Sequence, residues 1–114
     1  KTFGQHYRAK DFRLVPGRYY QLKLQLSLNS GADRDDGWFR LYADDRLVLE
    51  QQKLQFRANT LPESQISQLL INTFHGGSSV AYAPREQDGR FSRECAFFDN
   101  FEVRTLPAAK LKGR

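Results

Sequence analysis

The sequence predicts an all-β chain, an antiparallel β-sandwich, and three observations lead there. The hydrophobic pattern has a period of two almost throughout, and no segment sustains a helical period. Turn residues punctuate the alternating runs: Pro16-Gly17, Asn29-Ser30-Gly31 and Asp44-Asp45. Nine Phe, five Tyr and one Trp supply most of the large apolar surface in a chain of 114 residues that is 39% hydrophobic, enough for one core.

From Tyr20 the alternation is strict. Tyr20, Leu22, Leu24, Leu26 and Leu28 fall on one face, and Tyr19, Gln21, Lys23, Gln25, Ser27 and Asn29 on the other, the mark of a half-buried strand. Its length places it at the centre of a sheet. Trp38 to Ala43 and Arg46 to Glu50 form two shorter runs joined by Asp44-Asp45, a two-residue connection suited to a tight hairpin. Lys53 to Arg57 reads as another short strand. Leu61-Pro62-Glu63-Ser64 starts at most a helical turn. Gln65 to His75 carries Leu69, Ile71, Thr73 and His75 on one face, and Cys95 to Arg104 closes the series with Phe97, Asp99, Phe101 and Val103 on another. The lone cysteine, Cys95, excludes an internal disulfide and a cysteine-based zinc cage, and its spacing to Phe97 reads it as a small buried hydrophobe. These runs make about six strands, where a closed jelly roll has about eight. The expectation is therefore a sandwich left incomplete by residues 1–106, with a basic tail over 107–114.

Charge narrows the function classes. The net charge is +5, but Lys110, Lys112 and Arg114 near the C-terminus supply three of those charges. The remaining cations are interspersed with Asp and Glu and form no stripe, whereas tracking phosphates needs clustered Lys or Arg. Nucleic acid is thus excluded as a partner. A membrane is excluded too, since no apolar run approaches the roughly 18 residues of a span. Nothing at the N-terminus reads as a signal peptide.

Gly17-Arg18-Tyr19-Tyr20 before a strand, followed by Asp36-Gly37-Trp38-Phe39-Arg40-Leu41-Tyr42 and a hairpin, occurs in many lectin-like and glucanase-like jelly rolls. A more specific pattern lies further on: Asn72-Thr73-Phe74-His75-Gly76-Gly77-Ser78, then Tyr82-Ala83-Pro84, then Phe97-Phe98-Asp99-Asn100-Phe101. It resembles the C-terminal signature of polysaccharide lyase family 14, the alginate and glucuronan lyase-like jelly rolls. In that family a Phe-(Phe/His)-Gly-Gly-Ser turn precedes Trp-Ala-Pro and an aromatic-Phe-Asp-Asn-Phe strand. Gly17 to Asn29 matches the family's strand ending in Leu-Asn, and Asp36-Gly37 its following Asp-Gly; the resemblance runs from about residue 4 to residue 104. Two departures stand out. Tyr82 replaces the tryptophan, and Cys95 and Phe97 stand where the family often has tyrosines.

The resemblance implies a concanavalin-like jelly roll of which residues 1–106 are the C-terminal half, its partner being the N-terminal half of the same fold, together with cleavage of a uronic-acid polymer by β-elimination and a secreted or periplasmic location. That chemistry neutralises the C6 carboxylate, removes the C5 proton with a base and protonates the leaving O4 with an acid. It needs no cofactor and no metal. The family's residues for these tasks, a Lys, a Ser-x-Arg and a Tyr-x-Tyr pair, precede the segment that Phe3-Gly4 matches. This chain has no Tyr-x-Tyr, so no catalytic residue is carried over onto it. The alternative function, from another class, is a non-catalytic carbohydrate-binding β-sandwich for acidic glycans; a purely structural module is the third.

Five residues are candidates for contact with an acidic polysaccharide: Lys23, Gln25, His75, Tyr82 and Arg85. Lys23 and Gln25, with Gln21, make a polar row that either lines a glycan groove or faces water. His75 either binds a uronate or is a strand-end histidine bonded to its loop. Tyr82 either stacks on a sugar face or anchors the loop, and Arg85 either pairs a carboxylate through its planar fork or is a solvated charge. Gln5-His6-Tyr7-Arg8 holds every residue type that β-elimination needs, but alternation splits it between two faces. Asp33, Asp35 and Asp36 lack the register of a calcium loop and read as a solvated turn. His6 and His75, the only histidines, are too far apart in sequence to suggest a His-rich metal site.

Overall fold

The computed structural model describes residues 7–73 and 77–107. The chain divides into two units, Lys1–Gln68 and Leu69–Arg114.

The first unit is built on three antiparallel strands: β1 (Leu22–Ser27), β2 (Gly37–Ala43) and β3 (Arg46–Leu54), in the order β1-β2-β3. The fold is all-β, as the period of two requires. β2 is central because consecutive antiparallel connections place it between its two sequence neighbours; β1, expected at the centre, lies at an edge. The Asp44-Asp45 hairpin forms as expected. Both residues take positive φ, 48° and 63°, as a type I′ turn demands, and Ala43 pairs with Arg46. Asp44 also ties the turn to the approach of β1. Its Oδ1 accepts from the Gln21 amide at 3.0 Å and its Oδ2 from Arg18 at 2.8 Å, and its own amide donates to the Gln21 carbonyl.

The other end of the sheet is held by a buried polar lock. Asn29, just past β1, is fully buried. Its Oδ1 accepts from the Phe56 and Arg57 amides at 2.9 and 3.1 Å, and its Nδ2 donates to the Gly31 and Arg57 carbonyls at 2.7 and 2.9 Å. All the hydrogen-bonding capacity of the amide is used. Arg57 answers with Nε and Nη2 on the Asn29 carbonyl, at 3.0 and 2.9 Å. Gly37 is buried against the end of β3 and the chain beyond it, where a Cβ would lie 2.5 Å from the Leu54 carbonyl oxygen and 2.9 Å from the Phe56 ring. The lock explains why residues 55–57 do not continue as the expected strand: Lys53 turns the backbone with φ 57°, and the next amides are given to Asn29.

The apolar face of β1 is present but largely uncovered. Leu22 and Leu24 remain 53% and 60% exposed, and Ala43 is the one buried hydrophobic residue among those described. Tyr7 meets Phe39 edge-on at 5.8 Å, and Phe12 meets Tyr20 likewise at 5.6 Å. Among the described residues there is one sheet and no second layer of strands upon it.

Of the runs expected as strands, 65–75 and 95–104, residues 65–73 and 95–104 are irregular chain without ladder partners among the described residues, and positions 74 and 75 lie outside them. Alternation alone does not make a strand; it needs a neighbour to receive its backbone hydrogen bonds. Cys95 is accordingly exposed, not buried as its spacing to Phe97 suggested, because nothing covers the Phe97 side, itself 75% exposed. Single 3-10 turns form at Pro62–Ser64, where a helical turn was expected, and at Val80–Tyr82. Residues 84–92 fold into a small hairpin with an Arg85–Phe91 bridge, closed by Glu86 N–H to the Arg90 carbonyl at 2.8 Å and Ser92 N–H to the Pro84 carbonyl at 3.0 Å.

Candidate functional site

Strand register assembles the site in the first unit. β1 and β2 pair Lys23 with Tyr42, Gln25 with Arg40 and Ser27 with Trp38, so these six side chains share one face, opposite Leu22, Leu24, Leu26, Phe39 and Leu41. β3 adds Glu50 opposite Arg40. That pairing depends on a bulge. The hairpin begins with Ala43↔Arg46 and Tyr42↔Leu47, then slips by one residue between Leu41 and Tyr42. Without the slip Arg40 would face Leu49, and Glu50 would sit on the apolar side.

The face alternates cations with aromatic rings. The Lys23 ammonium lies 4.5 Å from the Tyr42 ring centroid and the Arg40 guanidinium 4.4 Å from that of Trp38. Arg40 is only 8% exposed and donates through Nε to Glu50 Oε2 at 2.6 Å. Its charge is matched by a carboxylate and its plane is covered by indole, so Arg40 and Glu50 form the fixed part of the face. Lys23 is different. Its side chain is 46% exposed, and its ion pair with the exposed Asp45 is long at 3.7 Å. A cation on a solvated arm beside a tyrosine ring and a neutral amide, Gln25, can receive a carboxylate with little rearrangement.

Asp36 sits at the entrance to β2. Its carboxyl is held below its ordinary range, first by the Ser30 hydroxyl, then by the Ser30 amide, with Arg34 a smaller contributor. It thus closes the Ser30–Asp36 turn, and the neighbouring Asp33 and Asp35 are exposed. Among the described residues, no group of three or more His, Cys, Asp or Glu is placed to hold a metal ion.

Of the residues expected to meet substrate, Lys23 and Gln25 belong to the first unit and share the polar face, while Tyr82 and Arg85 belong to the second. His75 and His6 lie outside the described residues. Tyr82 ends the Val80–Tyr82 turn and is 66% exposed. Arg85 is engaged with its own hairpin: its guanidinium lies 4.2 Å from the Phe91 ring centroid, and Nη1 donates to the Gly89 carbonyl at 2.8 Å. Sequence reasoning missed Trp38, Arg40, Tyr42 and Glu50. The alternation Trp38-x-Arg40-x-Tyr42 was there to be paired with Lys23 and Gln25 across the strands; the bulge that recruits Glu50 carries no such signal.

The comparison with known families is specific. The profile of the polysaccharide lyase 14 family matches residues 1–95, and the chain belongs to that family. The match ends before Phe97-Phe98-Asp99-Asn100-Phe101, so that part of the resemblance rests on the residues themselves. No curated protein and no solved structure matches the chain. Family membership makes it a lyase-family domain with a polysaccharide as its substrate class. No helix among the described residues is long and apolar enough to cross a membrane.

Proposed function

We propose that this chain is part of a secreted or periplasmic lyase that cleaves a uronic-acid polymer, alginate or glucuronan, by β-elimination, in a jelly-roll sandwich to which the sheet contributes core and one stretch of glycan groove. Lys23 carries the reading: an exposed ammonium, seated over Tyr42 and beside Gln25, on the one face of the sheet where polar groups converge. A uronate presents a carboxylate at every residue, and neutralising it makes the C5 proton easier to remove. Lys23 and Gln25 hold that carboxylate; Tyr82, Arg85 and His75, in the second unit, are proposed as substrate contacts in their own right.

The test has two parts. Binding of a glucuronate tetramer is measured by calorimetry for the chain and for Lys23→Ala. The variant binds several-fold more weakly at low ionic strength, and the difference shrinks as salt screens the exposed pair. Equal affinity at low salt would remove Lys23 from the site. Incubation with polyglucuronate and alginate, followed by the ultraviolet absorbance of the C4=C5 unsaturated product, then separates cleavage from binding. Tight, salt-sensitive binding by a parent enzyme that forms no unsaturated product would establish instead a non-catalytic domain for acidic glycans.

A further inference from the structure

We propose that Tyr82 is a preorganised stacking platform for a pyranose ring, and that Gly77 is the positioning residue that seats it. The proposal rests on the glycan reading above and adds a contact that does not depend on charge.

The observation is a close approach. A Cβ on Gly77 would lie 2.5 Å from Cδ2, 2.8 Å from Cγ and 3.0 Å from Cβ of Tyr82, so the base of the ring occupies the space a side chain would fill. The φ of Gly77, +128°, is likewise one that residues with a Cβ rarely adopt. Three further restraints fix the ring's backbone. Ser79 Oγ accepts from the Ala81 amide at 3.2 Å, the Tyr82 amide donates to the Ser79 carbonyl at 3.1 Å, and the Ala83 amide donates to the Val80 carbonyl at 3.1 Å. Pro84 then holds Ala83 in extended conformation, φ −66° and ψ 137°.

The base of the ring and its backbone are restrained in this way, yet Tyr82 is 66% exposed. Its hydrophobic surface therefore gains little from folding. A ring fixed in place but open to solvent has already lost the freedom that binding would otherwise take from it. The face of a pyranose, lined with axial C–H groups, is the ligand such a ring fits, and stacking of this kind is insensitive to ionic strength.

The experiment measures binding of a glucuronate tetramer at low and high salt, with thermal melts to confirm folding. Tyr82→Ala lowers affinity about three- to tenfold, by the same factor at both salts. Tyr82→Phe keeps wild-type affinity. Gly77→Ala reproduces the Tyr82→Ala loss, and the double variant is no weaker than Tyr82→Ala alone, as expected when one residue acts through the other. Gly17→Ala controls for backbone strain: Gly17 has φ +79° but nothing within 4 Å of its Cβ position, and this variant binds normally. Wild-type affinity in Tyr82→Ala, a Tyr82→Ala loss that fades with salt, or an additive double variant would overturn the platform. If Lys23→Ala still loses affinity in a salt-sensitive way while the Tyr82 variants do not, the platform alone falls. If the wild-type chain binds no glucuronate tetramer, both readings fall.

Discussion

Asn29→Ala is expected to destabilise the first unit by about 2–4 kcal/mol, and the magnitude follows from what the side chain does. It makes four hydrogen bonds, two as acceptor and two as donor, and it is fully buried. A net intramolecular hydrogen bond contributes about 0.5–1.5 kcal/mol, and a buried group left without a partner costs more. Water can reach some of the freed groups, because Phe56 is exposed, which holds the total below the simple sum. The guanidinium of Arg57 keeps its contact with the Asn29 carbonyl, so the variant isolates the amide's share of the lock. Urea unfolding followed by the fluorescence of Trp38, the sole tryptophan, reads the change as a lower midpoint with an unchanged slope. A loss below about 0.5 kcal/mol would mean that solvent replaces Asn29 without penalty, and the lock would not be what holds β1 to the chain beyond β3.

Two further perturbations probe the frame around the site. Asp45→Gly relieves a non-glycine residue at φ 63° and should stabilise the hairpin by about 0.5–1 kcal/mol. It also removes the 3.7 Å partner of Lys23, so low-salt affinity for a glucuronate tetramer rises; unchanged stability and affinity would refute both effects. Asp36 is depressed in the folded state, so its contribution to stability is present above the ordinary carboxylate range and is lost as pH falls through its folded pKa. Ser30→Ala removes the largest cause, so carboxyl NMR should show Asp36 titrating at higher pH and acid unfolding should lose part of its dependence on this group. An unmoved Asp36 titration would show that the Ser30 hydroxyl is not the cause.

The strands of the first unit were legible because they combine alternation with a turn that fixes register. Asp44-Asp45 supplies both, and β2 and β3 follow from it. The runs at 65–73 and 95–104 alternate equally well, yet no adjacent turn brings a partner to them, and they form no ladder among the described residues. The same gap misled the reading of Cys95: burial was inferred from its spacing to Phe97, but spacing says which residues share a face, not whether anything lies against it. Leu28-Asn29 and Asp36-Gly37 were legible as family marks. Their physical role was not, because three of the four side-chain hydrogen bonds of Asn29 go to residues 27 and 28 away in the chain, and the need for glycine at position 37 comes from the Leu54 carbonyl and the Phe56 ring.

The candidate site divides along the same line. Lys23 and Gln25 could be placed on one face from their own strand, since that requires only the period of two. Arg40 and Glu50 required knowledge of how three strands pair. A regular hairpin around Asp44-Asp45 would have joined Arg40 to Leu49, leaving a buried guanidinium against an apolar side chain. The one-residue bulge exchanges Leu49 for Glu50, moving the leucine to the apolar side and the carboxylate to the cation. That exchange makes Arg40 a fixed, neutralised pillar and leaves Lys23 as the more exposed cation of the face. A polyanion reaching this face therefore meets one accommodating ammonium beside aromatic rings, an arrangement that favours one carboxylate with sugar faces on either side over a diffuse electrostatic hold.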